Sequence, residues 1–185
     1  MGQTLIIKNM VCARCKSTII ALLTRNGLDI ESIELGKVVV KQDLNSNYDT
    51  IKTALKDLGF ELIEDESKVL VEQIKVLVIQ SLSENNPEPI ISKITKEIRK
   101  NDSAISKLFS KSEGITLEKY IINLKIEKVK EYIQLNQLNF SEIAYNLNYN
   151  NSSHLAKQFK SVTGMSMSEY RKLQDWDRKE LDQIV

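Results

Sequence analysis

The sequence predicts an α+β chain in two parts, a small mixed-sheet domain followed by an all-helical one. Three observations predict it. Short apolar runs bounded by turn residues alternate with helical stripes over residues 1–66. Apolar residues at helical spacing then fill residues 67–174. This helical part nearly repeats itself at an offset of about 50 residues, since Phe109, Gly114 and Tyr120 recur as Phe159, Gly164 and Tyr170.

In the first part, residues 4–8 read as a buried strand, followed directly by Met10-Val11-Cys12-Ala13-Arg14-Cys15. Residues 16–26 read as a helix with Ile19, Leu22 and Leu23 inward and Gly27 as its stop. Two strands, 28–35 and 38–41, join tightly at Gly36-Lys37. Tyr48, Ile51, Leu55 and Leu58 mark a second helix and residues 60–63 a last strand. The order βαββαβ is the ferredoxin-like plan.

Residues 67–84 read as a helix with Leu70, Ile74, Leu77 and Val78 on one face, and residues 84–89 as an internal loop. The domain boundary is therefore expected near Glu66. Two like units follow. Each is a short helix, a polar turn, a second short helix and a Gly suited to a left-handed cap. The first spans helices 91–100 and 103–112 with a turn at Asn101-Asp102, slightly shorter than its counterpart. In the second, a helix at 141–148 starts at Ser141 as N-cap, Tyr149-Asn150-Asn151-Ser152 make the turn, and the next helix runs to Val162, burying Leu155 and Phe159. Between the units, residues 116–134 form a helix of about five turns, about 28 Å long. Its apolar positions are Leu117, Tyr120, Ile121, Leu124, Val129, Tyr132 and Ile133, with Lys125, Glu127 and Lys130 among the polar residues between them. That length suits two recognition helices held near the roughly 34 Å of one DNA turn.

At 42% hydrophobic, the chain can bury two modest cores. The net charge of +1 hides a division. Lys and Arg against Asp and Glu number 10 against 12 in residues 1–86, 14 against 9 in 87–174, and 2 against 4 in the acidic tail, 175–185. The basic balance of the helical part suits phosphate neutralisation. No apolar run approaches membrane-spanning length and no targeting segment opens the sequence, so the expected location is cytoplasmic. Nothing matches a nucleophile with its base, a paired-carboxylate site or a phosphate-binding glycine loop, so an enzyme is not expected.

The helical part resembles the AraC/XylS family of bacterial transcription regulators. The likeness runs from Val69 to Leu173 and rests on Ser141-Glu142-Ile143-Ala144, Phe159-Lys160, Thr163-Gly164-Met165-Ser166 and Ser168-Glu169-Tyr170-Arg171 in the second unit. In the first it rests on Ser106-Lys107-Leu108-Phe109, Gly114 and the run Ile126 to Lys130. Departures are Met167 where the family usually has Pro, Leu155 for a common aromatic, and His154 where Tyr is frequent. The resemblance implies double-stranded DNA as partner, with a homodimer left open. By position in its motif, the residues reaching DNA are Ser103, Ser106 and Lys107 in the first unit and Ser152, Ser153, His154 and Lys157 in the second. Lys can donate to guanine, whereas the serines suit phosphate contact better than base contact. Phe109, Phe159, Tyr120 and Tyr170 read as core.

Met10, Cys12-x-x-Cys15 in a strand-to-helix loop and Leu58-Gly59-Phe60 resemble the heavy-metal-associated domain of copper chaperones and metal-transporting ATPases, with Asn9 where that family has Gly. Two thiolates at this spacing can face one soft ion, and Cu(I) is the favoured cofactor because sulfur ligands select it. A closed zinc site normally takes four ligands, and the only His lies in the other part. A helix N-terminus, Arg14 and Lys16 are expected to lower both thiol pKa values. Met10 is expected to pack beneath the loop. The expectation is thus a DNA-binding regulator that senses a soft metal through Cys12 and Cys15. A copper-handling protein with a helical localisation domain and a thiol redox sensor are the alternatives.

Overall fold

The computed structural model describes residues 2–44, 47–84, 88–173, 178–179 and 181–184. The chain divides into two compact units, Met1–Leu77 and Val78–Val185.

In the first unit, strands β1 (Gln3–Lys8), β2 (Ile30–Glu34), β3 (Lys37–Val40) and β4 (Glu61–Ile63) are interleaved with helices α1 (Ala13–Arg25) and α2 (Tyr48–Asp57). They form one antiparallel sheet in the order β2-β3-β1-β4. The register Gln3↔Val40 to Ile6↔Lys37 follows from side-chain alternation. It places Leu5 and Ile7 of β1 with Val38 and Val40 of β3 in the core. Ile19, Leu22 and Leu23 of α1 and Ile51 and Leu55 of α2 cover that face. Gly36 closes the β2–β3 turn at φ 73°, and a Cβ there would stand 2.9 Å from a Val76 methyl. Conformation and space both call for glycine.

Helix α3 (Glu66–Ser83) begins where the boundary is expected, and the division between the units falls inside it. Asp65 caps it by accepting the Lys68 N–H at 3.0 Å. Val71 and Ile74 are buried, and so are Glu72 and Lys75, paired at 3.2 Å. Of the loop expected at 84–89, residues 85–87 lie outside the described residues.

The second unit contains α4 (Ile90–Ile98), α5 (Asp102–Glu113), α6 (Leu117–Leu135), α7 (Phe140–Asn146), α8 (Ser152–Thr163) and α9 (Met167–Arg171). Helix α6 is the long connector, with Thr116 as N-cap accepting the Lys119 N–H at 3.1 Å. Its pattern departs from the expected one at Glu127 and Lys130. These are buried, joined at 2.8 Å and 9% exposed in their side chains, so the apolar stripe widens over a satisfied i,i+3 pair. Ile126, Val129 and Ile133 pack with Ile143, Leu147, Leu155, Phe159, Met167 and Tyr170.

Of the expected acidic tail, residues 175–177, 180 and 185 lie outside the described residues. The described part lies along α6. The Lys179 N–H donates to Glu127 Oε2 at 3.0 Å, Arg178 approaches Glu131 at 3.7 Å, and Ile184 is buried. No helix among the described residues is long and apolar enough to cross a membrane.

Candidate nucleic-acid interface and cysteine pair

Helices α5 and α8 are built alike because their sequences place the same groups at the same steps. Asn101 accepts the Ala104 N–H at 2.8 Å and Asn151 the His154 N–H at 2.8 Å, satisfying otherwise orphaned donors. Each helix ends at a left-handed glycine, Gly114 at φ 72° and Gly164 at φ 82°. Phe109 meets Tyr120 at 5.2 Å between ring centroids, and Phe159 meets Tyr170 at 5.5 Å. All four rings are buried.

The opposite, outward face of each helix carries the DNA-facing candidates. Ser103 and Lys107 on α5 are exposed and Ser106 is half-buried, its hydroxyl donating to Asp102 at 3.1 Å. On α8, Ser153, His154 and Lys157 are exposed and Ser152 is half-buried. All seven occupy the first two turns of their helices, where backbone N–H groups and the positive dipole end favour an anion.

Several boundaries differ from the expected ones. Asn139, not Ser141, caps α7, accepting the Ser141 and Glu142 amides at 2.9 and 3.0 Å while Glu142 returns to the Asn139 N–H at 2.7 Å. This reciprocal pair outcompetes a cap two residues later. The first unit's turn comprises residues 99–101, with Arg99 left-handed at φ 54°, and the second's residues 147–151, so the first is indeed the shorter. Met167 occupies the first position of α9, where a proline would be tolerated. Here a buried side chain and the Ser166–Glu169 capping box fix the start instead.

The helical part has relatives among known proteins. A family model described as "Helix-turn-helix domain" matches residues 94–173. Residues 94–173 are thus matched to a helix-turn-helix domain, in keeping with the paired helices α4–α5 and α7–α8. The transcriptional activator RhrA of Rhizobium meliloti is 28% identical over 128 residues, covering 68% of this chain and 40% of RhrA. The Msm operon regulatory protein of Streptococcus mutans is 22% identical over 128 residues, covering 68% of this chain and 45% of that protein. This chain thus spans less than half the length of these curated relatives. The crystal structure of the C-terminal domain of the two-component response regulator yesN from Fusobacterium nucleatum superposes with a TM-score of 0.50 at 21% identity, covering 55% of this chain and 96% of that one. The likeness in fold is therefore carried by the helical part.

In the first unit, Cys12 is the N-cap of α1 and Cys15 lies in its first turn. Their Sγ atoms stand 3.0 Å apart, and the Cys15 N–H donates to Cys12 Sγ at 3.4 Å. Both are half-buried free thiols. The helix therefore starts three residues earlier than the sequence suggests. The two thiols titrate in opposite directions, against the expectation that both are lowered. Burial raises Cys12, but hydrogen bonds from the Cys15 side chain and from the Cys15 and Arg14 amides, with the Arg14 charge, outweigh it and lower the pKa. Burial and the bond to Cys12 push the Cys15 pKa up. Met10 is buried in the core beneath the loop, as expected. Among the described residues, no group of three or more His, Cys, Asp or Glu side chains is placed to hold a metal ion. The donor set is two sulfurs, which fits a soft ion content with few ligands and not a closed four-ligand zinc site.

Proposed function

We propose that the protein is a transcription regulator that binds double-stranded DNA through α5 and α8 and adjusts that binding to a soft metal ion, Cu(I), held by Cys12 and Cys15. One observation carries the DNA half of the reading. Two matched helix pairs present capped N-terminal turns bearing Ser103, Ser106 and Lys107 in one and Ser152, Ser153, His154 and Lys157 in the other. Relatives named as a transcriptional activator and an operon regulatory protein support it.

The metal half rests on the thiol pair. Two sulfurs 3.0 Å apart at a helix N-terminus, with an amide already aimed at Cys12, suit a ligating thiolate. The strand order β2-β3-β1-β4, with two helices on one side of the connectivity βαββαβ, supports the ferredoxin-like plan. Asn9 adds support, since it adopts φ 69°, a conformation that Gly and Asn accept most readily, and donates to the Gly59 carbonyl at 2.9 Å. Metal occupancy then changes operator affinity, and by linkage DNA changes metal affinity by the same factor.

The asymmetry of the two thiols favours a second reading, a dithiol switch in which the Cys12 thiolate is the reactive partner. The deciding experiment measures affinity for the DNA upstream of the protein's own gene at fixed salt. It compares wild type with Cys12→Ser/Cys15→Ser, with and without Cu(I), and with oxidant in the absence of metal. A copper-dependent change lost in the double variant supports the metal reading. An oxidant response in metal-free protein supports the switch. Specific binding indifferent to both leaves the DNA function and removes the sensor, whereas no specific binding removes the regulator itself.

A further inference from the structure

Lys125 is drawn as a solvated spacer by the α6 pattern, yet it is half-buried and its ammonium is committed on two sides. Nζ donates to the Leu147 carbonyl at 2.8 Å and lies 4.8 Å from the centre of the Tyr149 ring. The same ring meets His154 nearly edge-on, at 5.6 Å and 74°, and the Tyr149 hydroxyl donates to Gln158 Oε1. Both His154 and Gln158 belong to α8. The Tyr149 N–H is tied back to the Ala144 carbonyl at 2.9 Å, so the backbone that carries the ring is held from the α7 side.

We propose that Lys125 is a positioning residue that sets the orientation of the second recognition helix through Tyr149, and thereby the bases that α8 reads. The proposal rests on the DNA-binding reading above and assigns within it which contacts aim the helix. The physical need is plain from the turn lengths. Each turn holds one left-handed residue, Arg99 or Asn148, but the stretch 147–151 is longer than 99–101 and gives α8 a longer tether. A reading helix on a longer tether needs supporting contacts to hold its side chains within a fraction of an ångström of base edges. The clamp supplies them from the connector helix, whose own position is fixed by a buried core. No aromatic residue stands in the first turn, Arg99-Lys100-Asn101, to do the same there.

The two units make the test self-controlled. Full-length protein is used to select bound duplexes from a random pool, and the α5 and α8 half-sites are assigned with Lys107→Ala and Lys157→Ala. Lys125→Met keeps the stem and removes the charge. Tyr149→Phe keeps the ring and removes only the hydroxyl, so it remains informative should the first variant fold poorly. The expected result is a loss of base discrimination of about tenfold at the α8 half-site, the scale of one base-pair contact, with the α5 half-site unchanged. The salt dependence of nonspecific binding stays as in wild type, because a half-buried Lys125 does not meet phosphate. Equal loss at both half-sites, an unaltered preference in both variants, or a salt slope lowered by about one overturns the proposal. Failure of wild type itself to select any sequence overturns the DNA-binding reading instead.

Discussion

Phe159 of α8 and Tyr170 of α9 meet edge to face, 5.5 Å between centroids, and close the second helix-turn-helix unit around Gly164. Phe159 is wholly buried among Ile143, Leu147, Leu155 and Met167. Phe159→Ala removes both the ring's burial and the aromatic contact. It is expected to cost about 3–5 kcal/mol, measured by urea denaturation followed by circular dichroism. A loss below about 1 kcal/mol would show that this core collapses around the gap.

The capping assignment gives a paired test. Asn139→Ala deletes an acceptor for two amides at the start of α7, so it is expected to destabilise by about 1 kcal/mol. Ser141→Ala, at the residue the sequence favours as cap, is expected to change stability by less than about 0.5 kcal/mol. Reversal of that order in denaturant midpoints would restore Ser141 as the cap.

These cases show what a sequence makes legible. The Phe-Gly-Tyr spacing was readable because each ring pair and its glycine act over a short stretch, where helical period and cap chemistry suffice. Asn139 and Ser141 could not be separated, since both residue types cap helices and only the return bond from Glu142 decides. Glu127, Lys130 and Lys125 looked solvated because their type predicts exposure. Glu127 and Lys130 satisfy each other, and Lys125 finds Leu147 and Tyr149, partners 22 and more residues away. The thiols were misjudged for a related reason. A helix N-terminus predicts one direction for both, whereas burial and the bond to Cys12 raise Cys15, and the hydrogen bonds gathered on Cys12 outweigh its burial and lower it.

Burial pushes the Tyr149 phenol up from 10.0 to about 12. Because the folded value is the higher one, the fold favours the protonated phenol. The stability this contributes is complete below pH 10 and lost as pH rises through about 12. The difference between the phenolate absorbance titrations of wild type and Tyr149→Phe should therefore isolate one tyrosine that ionises late. A difference curve centred on the ordinary tyrosine value would place Tyr149 in solvent and loosen the contact with Lys125.

Lys107 and Lys157 stand at corresponding places on α5 and α8, and both are exposed. If each meets one phosphate, Lys107→Ala and Lys157→Ala each reduce the slope of log affinity against log salt by about one, and together by about two. If either instead donates to guanine, its replacement relaxes the preference for one base pair, costs about 1–3 kcal/mol at that position and alters the slope little. Titrations of a fluorescent duplex at several salt concentrations separate these results. A double variant with wild-type affinity and slope would remove both lysines from the interface and shift the contact to the serines and His154.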